Sequence, residues 1–227
     1  HRDLHSFPTL RSSDLHSLPQ TNNINVSDID FAYDKKKIID DVSLCIPEKT
    51  ISAFVGPSGG GKTTLCHLIA RFWDVSNGTV SLDGKNVKEY SMDSLMENFS
   101  FVFQNVFLFH DTIANNIRFG QPNAPMDDVI AAAKKACCHD FITALPDGYD
   151  TIIVENGASL SGGEKQRISI ARAIMKNAPI IILDEATANV DPENEKDLME
   201  AIEALTKEKT ILMMTMEIGR ASCRERV

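Results

Sequence analysis

Alternating and uniformly apolar segments divide the chain into two kinds of predicted strand. Residues 24–31 and 37–46 alternate between apolar and polar positions and have turn residues between them, which predicts two antiparallel strands. Residues 51–55 are an apolar run that predicts a further strand, and residues 180–183 and 210–214 are almost wholly apolar, as is typical of buried strands. The pattern therefore predicts an α/β fold, in which an antiparallel unit precedes a βαβ-type core.

Between these strands, apolar residues recur at the spacing of a helix. Residues 65–72 predict a helix that continues from a glycine-rich loop, and residues 127–141 predict a helix with an alanine-rich face, ended by residues 146–148. Residues 162–175 and 193–205 predict two more helices. Two further strands are predicted at residues 79–82 and at residues 99–103, the latter ending at Gln104.

The glycine-rich loop after the strand at residues 51–55 fits the phosphate-binding pattern G-x-x-x-x-G-K-[ST]. Its glycines allow successive backbone N–H groups to converge on phosphate oxygens at the N-terminus of a helix. Lys62 offers a cation for the β- and γ-phosphates, and Thr63 offers a hydroxyl for Mg²⁺. The candidate phosphate-binding residues are Gly56, Pro57, Ser58, Gly59, Gly60, Gly61, Lys62, Thr63 and Thr64.

Two adjacent carboxylates, Asp184 and Glu185, end the apolar strand at residues 180–183. Ligands of open α/β sheets bind at the carboxyl ends of the strands, and adjacent side chains point apart. Asp184 is therefore suited to hold Mg²⁺, and Glu185 to accept a proton from an attacking water. A pair of solvated acids without a ligand is the alternative interpretation.

A second candidate anion site lies at the predicted N-terminus of the helix at residues 162–175. The run Leu160-Ser161-Gly162-Gly163-Glu164 places small residues where a helix presents free N–H groups. A single bound nucleotide does not need two phosphate-binding turns from the same chain. The alternative is an ordinary helix cap without a ligand.

The phosphate loop, the Ser-Gly-Gly turn and the acidic strand end, in this order, resemble the ATP-binding-cassette family over nearly all of residues 24–216. The resemblance implies a P-loop NTPase core with an antiparallel β subdomain and an inserted α-helical subdomain at about residues 105–175. It implies ATP and Mg²⁺ as ligands. It also implies a head-to-tail pair of domains, in which the turn at Ser161 closes over the γ-phosphate of ATP held by the partner.

Further roles follow from the resemblance position by position. Tyr33 matches the aromatic residue that stacks on adenine, and Gln104 matches the glutamine that touches Mg²⁺ and the attacking water. Asp191 matches a loop aspartate that faces the partner subunit, although a helix cap before Pro192 explains it equally well. The implied catalytic residues are Glu185, Lys62 and Gln104; the metal ligands are Thr63, Gln104 and Asp184; the partner contacts are Leu160, Ser161, Gly162, Gly163, Glu164 and Asp191.

The exporter branch of the family is indicated by two segments. Residues 145–157 resemble the exporter stretch in which Glu155 contacts the coupling helices of the membrane domain, although Val154 and Asn156 differ from the usual Gly and Arg. In the segment after Gln104, Phe107 and Phe109 form either an apolar docking groove for those helices or part of the core of the inserted lobe.

The resemblance thus implies an ATP-hydrolysing motor domain of an exporter-type transporter, at the cytoplasmic face of the cell membrane. Its expected partners are a second ATP-binding domain, identical or different, and a transmembrane domain fused on the N-terminal side. The alternatives are a stand-alone ATPase subunit of an importer and a non-transport ATPase that acts as a regulatory switch. Position 216, where the family has a switch histidine, is Met216, so either the ATPase is weakened or the position is altered by the adjoining tail.

Composition and the chain ends limit these hypotheses further. The net charge of −9 provides no general field for nucleic acid, so we expect no nucleic-acid partner. The five cysteines show no metal-ligand spacing. Residues 6–15 and 217–227 resemble translated sequencing adapter, so residues 1–16 and 217–227 are expected to be a non-native leader and tail around a domain at residues 17–216.

Overall fold

The computed structural model describes residue 19 and residues 21–34, 36–153, 160–184 and 192–215, with only the backbone described for residues 192–195. This part of the chain forms eight strands and seven α-helices. The strands are β1 (Ile24–Tyr33), β2 (Lys36–Ile46), β3 (Ile51–Val55), β4 (Asn77–Leu82), β5 (Lys85–Asn86), β6 (Phe99–Val102), β7 (Ile180–Asp184) and β8 (Thr210–Thr215). The helices are α1 (Lys62–Ile69), α2 (Met92–Glu97), α3 (Ile113–Arg118), α4 (Met126–Lys135), α5 (His139–Ala144), α6 (Gly162–Lys176) and α7 (Pro192–Thr206).

The first sheet is antiparallel and has the strand order β2-β1-β4-β5. Ile24 of β1 lies opposite Ile46 of β2 on one side and Leu82 of β4 on the other, and all three side chains are buried. The apolar residues of the alternating pattern predicted for β1 and β2 therefore lie on one buried face of this sheet. The antiparallel unit predicted from the sequence is confirmed.

The second sheet is parallel and has the strand order β3-β8-β7-β6. Its inner strand β7 is covered on both faces, whereas β3, at the end of the strand order, leaves Ile51 and Val55 exposed. Ile180 and Ile182 contribute to the cluster shared with α1 and the antiparallel sheet, whereas Ile181 and Leu183 contribute to the cluster of the helical lobe. Uniform hydrophobicity along β7 is therefore required, because successive side chains enter two different cores.

The helical lobe is built around α6, which packs against α3, α4 and α7. The helix predicted at residues 127–141 is wrong as a single element. It divides into α4 and α5 because Cys137 adopts a left-handed conformation with φ of +53°, and the N–H groups of Cys137 and Cys138 bond back to the last turn of α4. Helices α2 and α3 were not predicted from the sequence, because they are six residues each and too short to show a helical period.

Within the described ranges, no helix combines the length and the hydrophobicity needed to cross a membrane.

The predicted combination of a parallel core, an antiparallel unit and an inserted group of helices is confirmed by the arrangement of these elements.

Candidate functional site

The glycine-rich loop joins β3 to α1, as the phosphate-binding pattern predicts. Gly61 is the N-cap of α1 and has φ of +86°. A Cβ at this position would lie 3.1 Å from the side chain of Ile39, so both conformation and space require glycine. The N–H of Gly60 donates to the carbonyl of Pro57 at 3.1 Å, which closes the loop on itself. The backbone N–H groups at the start of α1 therefore lie in a tight concave turn.

Lys62 crosses this loop with its ammonium group. Its Nζ donates to the carbonyl oxygens of Gly56 at 2.8 Å and Pro57 at 3.0 Å. The cation is thus placed inside the turn that the pattern assigns to phosphate, at the positive end of α1. A ligand with several negative oxygens fits this concentration of donors.

The predicted metal ligands Thr63 and Asp184 lie together, although 121 positions separate them in the chain. The hydroxyl of Thr63 donates to the carboxylate of Asp184 at 3.2 Å and 3.4 Å. This set of hard oxygen donors fits Mg²⁺. Burial, and to a lesser extent the charge of Asp184, raises the pKa of the Cys66 thiol and keeps it neutral.

Gln104 leaves the parallel sheet at the same edge as Asp184. Val102 at the end of β6 pairs with Leu183 of β7, so the residues that follow both strands emerge side by side. Gln104 is exposed there. The predicted residues Glu185, Asp191, Glu155 and Met216 lie outside the described residues.

Tyr33 ends β1 within a cluster of aromatic rings. Its ring centroid lies 4.8 Å from that of Phe31 and 5.6 Å from that of Trp73, both edge-on. The chain contains a single tryptophan, and 52% of its surface is exposed. Tyr33 therefore presents an aromatic face at the rim of the antiparallel sheet and is braced from two sides.

Asp30 holds the strands just before Tyr33. Its carboxylate accepts from Lys37 at 2.8 Å, from the N–H of Asp41 at 3.0 Å and from the side chain of Asn77 at 3.3 Å. The bond from Lys37, followed by that from Asp41, lowers the pKa of Asp30 to about 2. This carboxylate therefore joins β1 to both of its neighbouring strands at neutral pH.

The Ser-Gly-Gly turn begins α6 with a complete capping box. The N–H of Glu164 donates to the hydroxyl of Ser161 at 3.3 Å, and the carboxylate of Glu164 accepts from the N–H of Ser161 at 2.7 Å. The hydroxyl still carries its own proton, which it can donate outward. A Cβ at Gly162 would meet no atom within 4 Å, so the surface of the turn is open.

The phosphate loop and the Ser161 turn belong to different lobes. Leu160, just before the turn, is buried in the cluster of the helical lobe, whereas Leu65 and Leu68 of α1 are buried in the cluster of the antiparallel sheet. The hydrogen bonds of the capping box thus agree with the interpretation of Ser161 as a helix cap. The surface of the turn nevertheless remains accessible.

Phe107 and Phe109 line a surface groove with a volume of about 360 Å³. Phe107 is 60% exposed, so the hypothesis that it fills the core of the inserted lobe is wrong; Leu108 between them is the buried residue. The sequence analysis missed Phe119, which is 62% exposed and lies 4.7 Å from the ring of Phe109.

The groove also contains a charged residue that the sequence analysis missed. Arg172 of α6 places its guanidinium 5.3 Å from the ring of Phe109 and 6.0 Å from that of Phe119. The available signal was an arginine between Ala171 and Ala173, within residues 168–175, where every other residue except Ser169 is apolar.

A family model described as ABC transporter matches residues 39–188, a range that includes the phosphate loop, Gln104, the turn at Ser161 and Asp184. This chain belongs to the ABC transporter family. The predicted family is confirmed.

Relatives of this ABC domain are named as flippases and as a multidrug export protein. It is 45% identical over 207 residues to an ATP-dependent lipid A-core flippase of Syntrophus aciditrophicus (strain SB), covering 91% of this chain and 34% of the relative. It is 43% identical to the flippase of the same name from Haemophilus influenzae (strain 86-028NP), covering 88% and 35%. A Staphylococcus aureus (strain NCTC 8325 / PS 47) protein named for multidrug export, ATP binding and permease function is 44% identical, covering 86% and 34%.

The ABC domain therefore spans about a third of the length of these relatives. The solved structure of a bacterial Atm1-family ABC exporter with ATP bound matches 98% of this chain and 38% of that chain, with a TM-score of 0.85 and 35% identity. These matches confirm the predicted P-loop NTPase fold and the predicted resemblance to exporter-type ABC domains.

Proposed function

We propose that this ABC domain binds ATP together with Mg²⁺ and hydrolyses it, as the motor domain of an exporter-type transporter. The observation that carries the proposal is the hydrogen bond of 3.2 Å between Thr63 and Asp184. It brings together, at the mouth of the phosphate loop, two oxygen ligands that come from the start of α1 and the end of β7. A glycine-rich turn without a nucleotide function does not require this pairing.

Binding is assigned to the loop and the aromatic rim. The ammonium of Lys62 and the backbone N–H groups of the loop at residues 56–64, to which Pro57 contributes none, would bind the phosphates, and Tyr33 would stack on adenine. Thr63 and Asp184, with Gln104, would hold Mg²⁺, which when bound neutralises charge on the β- and γ-phosphate oxygens.

Proton transfer is assigned to Glu185, one residue beyond the described end of β7. It follows Asp184 directly in the sequence, and adjacent residues of an extended strand point apart, so the two carboxylates would serve different roles. Glu185 would accept the proton of the attacking water, while Gln104 orients that water. These roles come from the sequence pattern.

The functional unit is proposed to be a head-to-tail pair of ABC domains. The turn formed by Leu160, Ser161, Gly162, Gly163 and Glu164 supports this because it is open to solvent and lies in a different lobe from the phosphate loop. Together with Asp191, it would contact ATP held by the partner. In this arrangement, the phosphate loop of each domain would face the Ser161 turn of the other. Closure of the two domains on ATP would be the mechanical output.

The full-length protein is proposed to carry a transmembrane domain on the N-terminal side of this domain, which would lie at the cytoplasmic face of the membrane. The names and lengths of the relatives support this arrangement. Phe107 and Phe109, together with Glu155, would receive the coupling helices of that membrane domain.

Mg-ATP turnover measured beside Glu185→Gln and Lys62→Ala tests the proposed function. The wild-type domain should hydrolyse ATP, and Glu185→Gln should keep ATP binding while turnover falls by about 10²- to 10⁴-fold, as expected for loss of a general base. Lys62→Ala should lose binding as well. ATP binding by the wild type with turnover no greater than that of Glu185→Gln would refute the motor and favour the regulatory switch.

A further inference from the structure

Helix α6 holds the segment that carries Gln104 at two points. The side-chain amide of Gln166 donates to the carbonyl of Phe103 at 3.3 Å, just before Gln104. Nη1 of Arg172 donates to the carbonyl of Phe107 at 2.6 Å, three residues after Gln104. Both donors lie on the helix that begins at the Ser161 turn. Each bond spans more than sixty positions of the chain.

Arg172 also fixes the far side of this segment through Asn116. Its Nε donates to the backbone carbonyl of Asn116 at 2.7 Å, and its Nη2 donates to the side-chain oxygen of the same residue. Asn116 is buried and in turn accepts from the N–H of Phe109 at 2.9 Å and donates to the carbonyl of Phe109 at 3.0 Å. One guanidinium thus positions both Phe107 and Phe109.

The chemistry of this contact requires arginine. The planar guanidinium donates in three directions to fixed oxygens and lies over the rings of Phe109 and Phe119. Burial lowers its pKa to about 10, so the group remains charged at neutral pH. A lysine at this position has a single nitrogen and cannot reach the same set of acceptors.

The location of these contacts gives them a mechanical consequence. Gln104 follows β6 of the parallel sheet, whereas α6 packs with α3, α4 and α7 of the helical lobe and also contacts β6. The segment from Phe103 to Phe109 therefore crosses from one lobe to the other. Because its two ends are bonded to α6, a displacement of the Ser161 turn relative to the phosphate loop would also displace Gln104 and the groove.

We propose that Gln166 and Arg172 are positioning residues that fasten Gln104 and the Phe107–Phe109 groove to the helix of the Ser161 turn. The pair, which we name the α6 clamp, makes these three features move together when the domain engages a second copy. The inference rests on the proposed function for its catalytic consequence, but the clamp itself is a property of this chain alone.

The test compares Arg172→Lys with Arg167→Lys in the full chain. Arg167 is a matched control because it is buried on the same helix but forms an ion pair with Asp197 at 2.7 Å, on the side of α7. The first readout is amide hydrogen exchange of Phe109 and its neighbours by NMR. The second is kcat and KM for Mg-ATP, and thermal unfolding shows that each variant is folded.

The α6 clamp predicts that Arg172→Lys speeds exchange of the Phe109 amide by about tenfold or more, the effect expected from losing bonds to a charged donor. It predicts that kcat falls by about tenfold with KM little changed, because Gln104 is misplaced while the phosphate loop is intact. Gln166→Leu should likewise speed amide exchange and lower kcat. Arg167→Lys should lower the melting temperature without either effect.

Equal exchange at Phe109 in the two arginine variants would overturn the clamp, whether or not the domain hydrolyses ATP. Faster exchange in Arg172→Lys with a kcat equal to that of Arg167→Lys would overturn the proposed link to catalysis. Absence of turnover in the wild type would instead refute the proposed function, and the exchange measurement would still decide the clamp.

Discussion

At the residue scale, Tyr33 is the position whose role depends most on a ligand. Its phenol ring is braced by Phe31 and Trp73 but remains partly exposed. A core residue in this position would turn its whole surface inward. The stacking role predicted from the sequence therefore has a physical basis, since the two neighbouring rings hold the free face in a fixed orientation.

Tyr33→Leu is expected to weaken ATP binding by roughly 2- to 12-fold, the equivalent of an aromatic pairing energy of about 0.5–1.5 kcal/mol. Tyr33→Phe is the matched control and should bind like the wild type. Titration can be followed by the fluorescence of Trp73, whose ring centroid lies 5.6 Å from that of Tyr33. Equal affinities for the leucine and phenylalanine variants would remove Tyr33 from the site.

At the element scale, α6 connects most of the functional features. Its first turn carries the Ser161 cradle, Gln166 and Arg172 hold the Gln104 segment, and its apolar residues fill the core of the helical lobe. A capping box would explain Ser161 and Glu164 without any ligand. Gly162 separates the two interpretations, because the cap does not need glycine at that position.

Gly162→Ala should leave the free energy of unfolding unchanged or slightly raise it, because the added Cβ meets no atom within 4 Å and alanine favours helix. If a partner's ATP approaches this surface, the same substitution should weaken ATP-dependent dimerisation of the Glu185→Gln background. Sedimentation with and without Mg-ATP measures the dimer. Undiminished dimerisation in Gly162→Ala would show that the open turn is only a cap.

Local chemistry explains which elements could be predicted from the sequence. The phosphate loop was predictable because its function requires glycine at fixed spacing, and β7 was predictable because both of its faces are buried. The break at Cys137 was not predictable, since the sequence places no glycine there. The α6 clamp was also hidden, because Arg172 and Asn116 are 56 positions apart and only the packing of α3 on α6 joins them.

At the scale of the whole molecule, one parallel sheet separates two hydrophobic clusters. Ile182 faces the cluster that contains α1 and the antiparallel sheet, and Ile181 faces the cluster that contains α3 to α6. The phosphate loop depends on the first cluster and the Ser161 turn on the second. Because both clusters use the same strands, the loss of either one exposes apolar side chains of the shared sheet.

This shared sheet predicts a single cooperative unfolding transition. Ile181→Ala and Ile182→Ala should each lower the free energy of unfolding by about 2–5 kcal/mol, the usual cost of truncating a buried isoleucine. Far-UV circular dichroism reports mainly on the helices around Ile181, and fluorescence of Trp73 reports on the lobe around Ile182. Both probes should give the same midpoint in urea for each variant. If the lobes unfolded independently, Ile181→Ala would shift only the dichroism and Ile182→Ala only the fluorescence, and the phosphate loop and the Ser161 turn would then be held by separate cores.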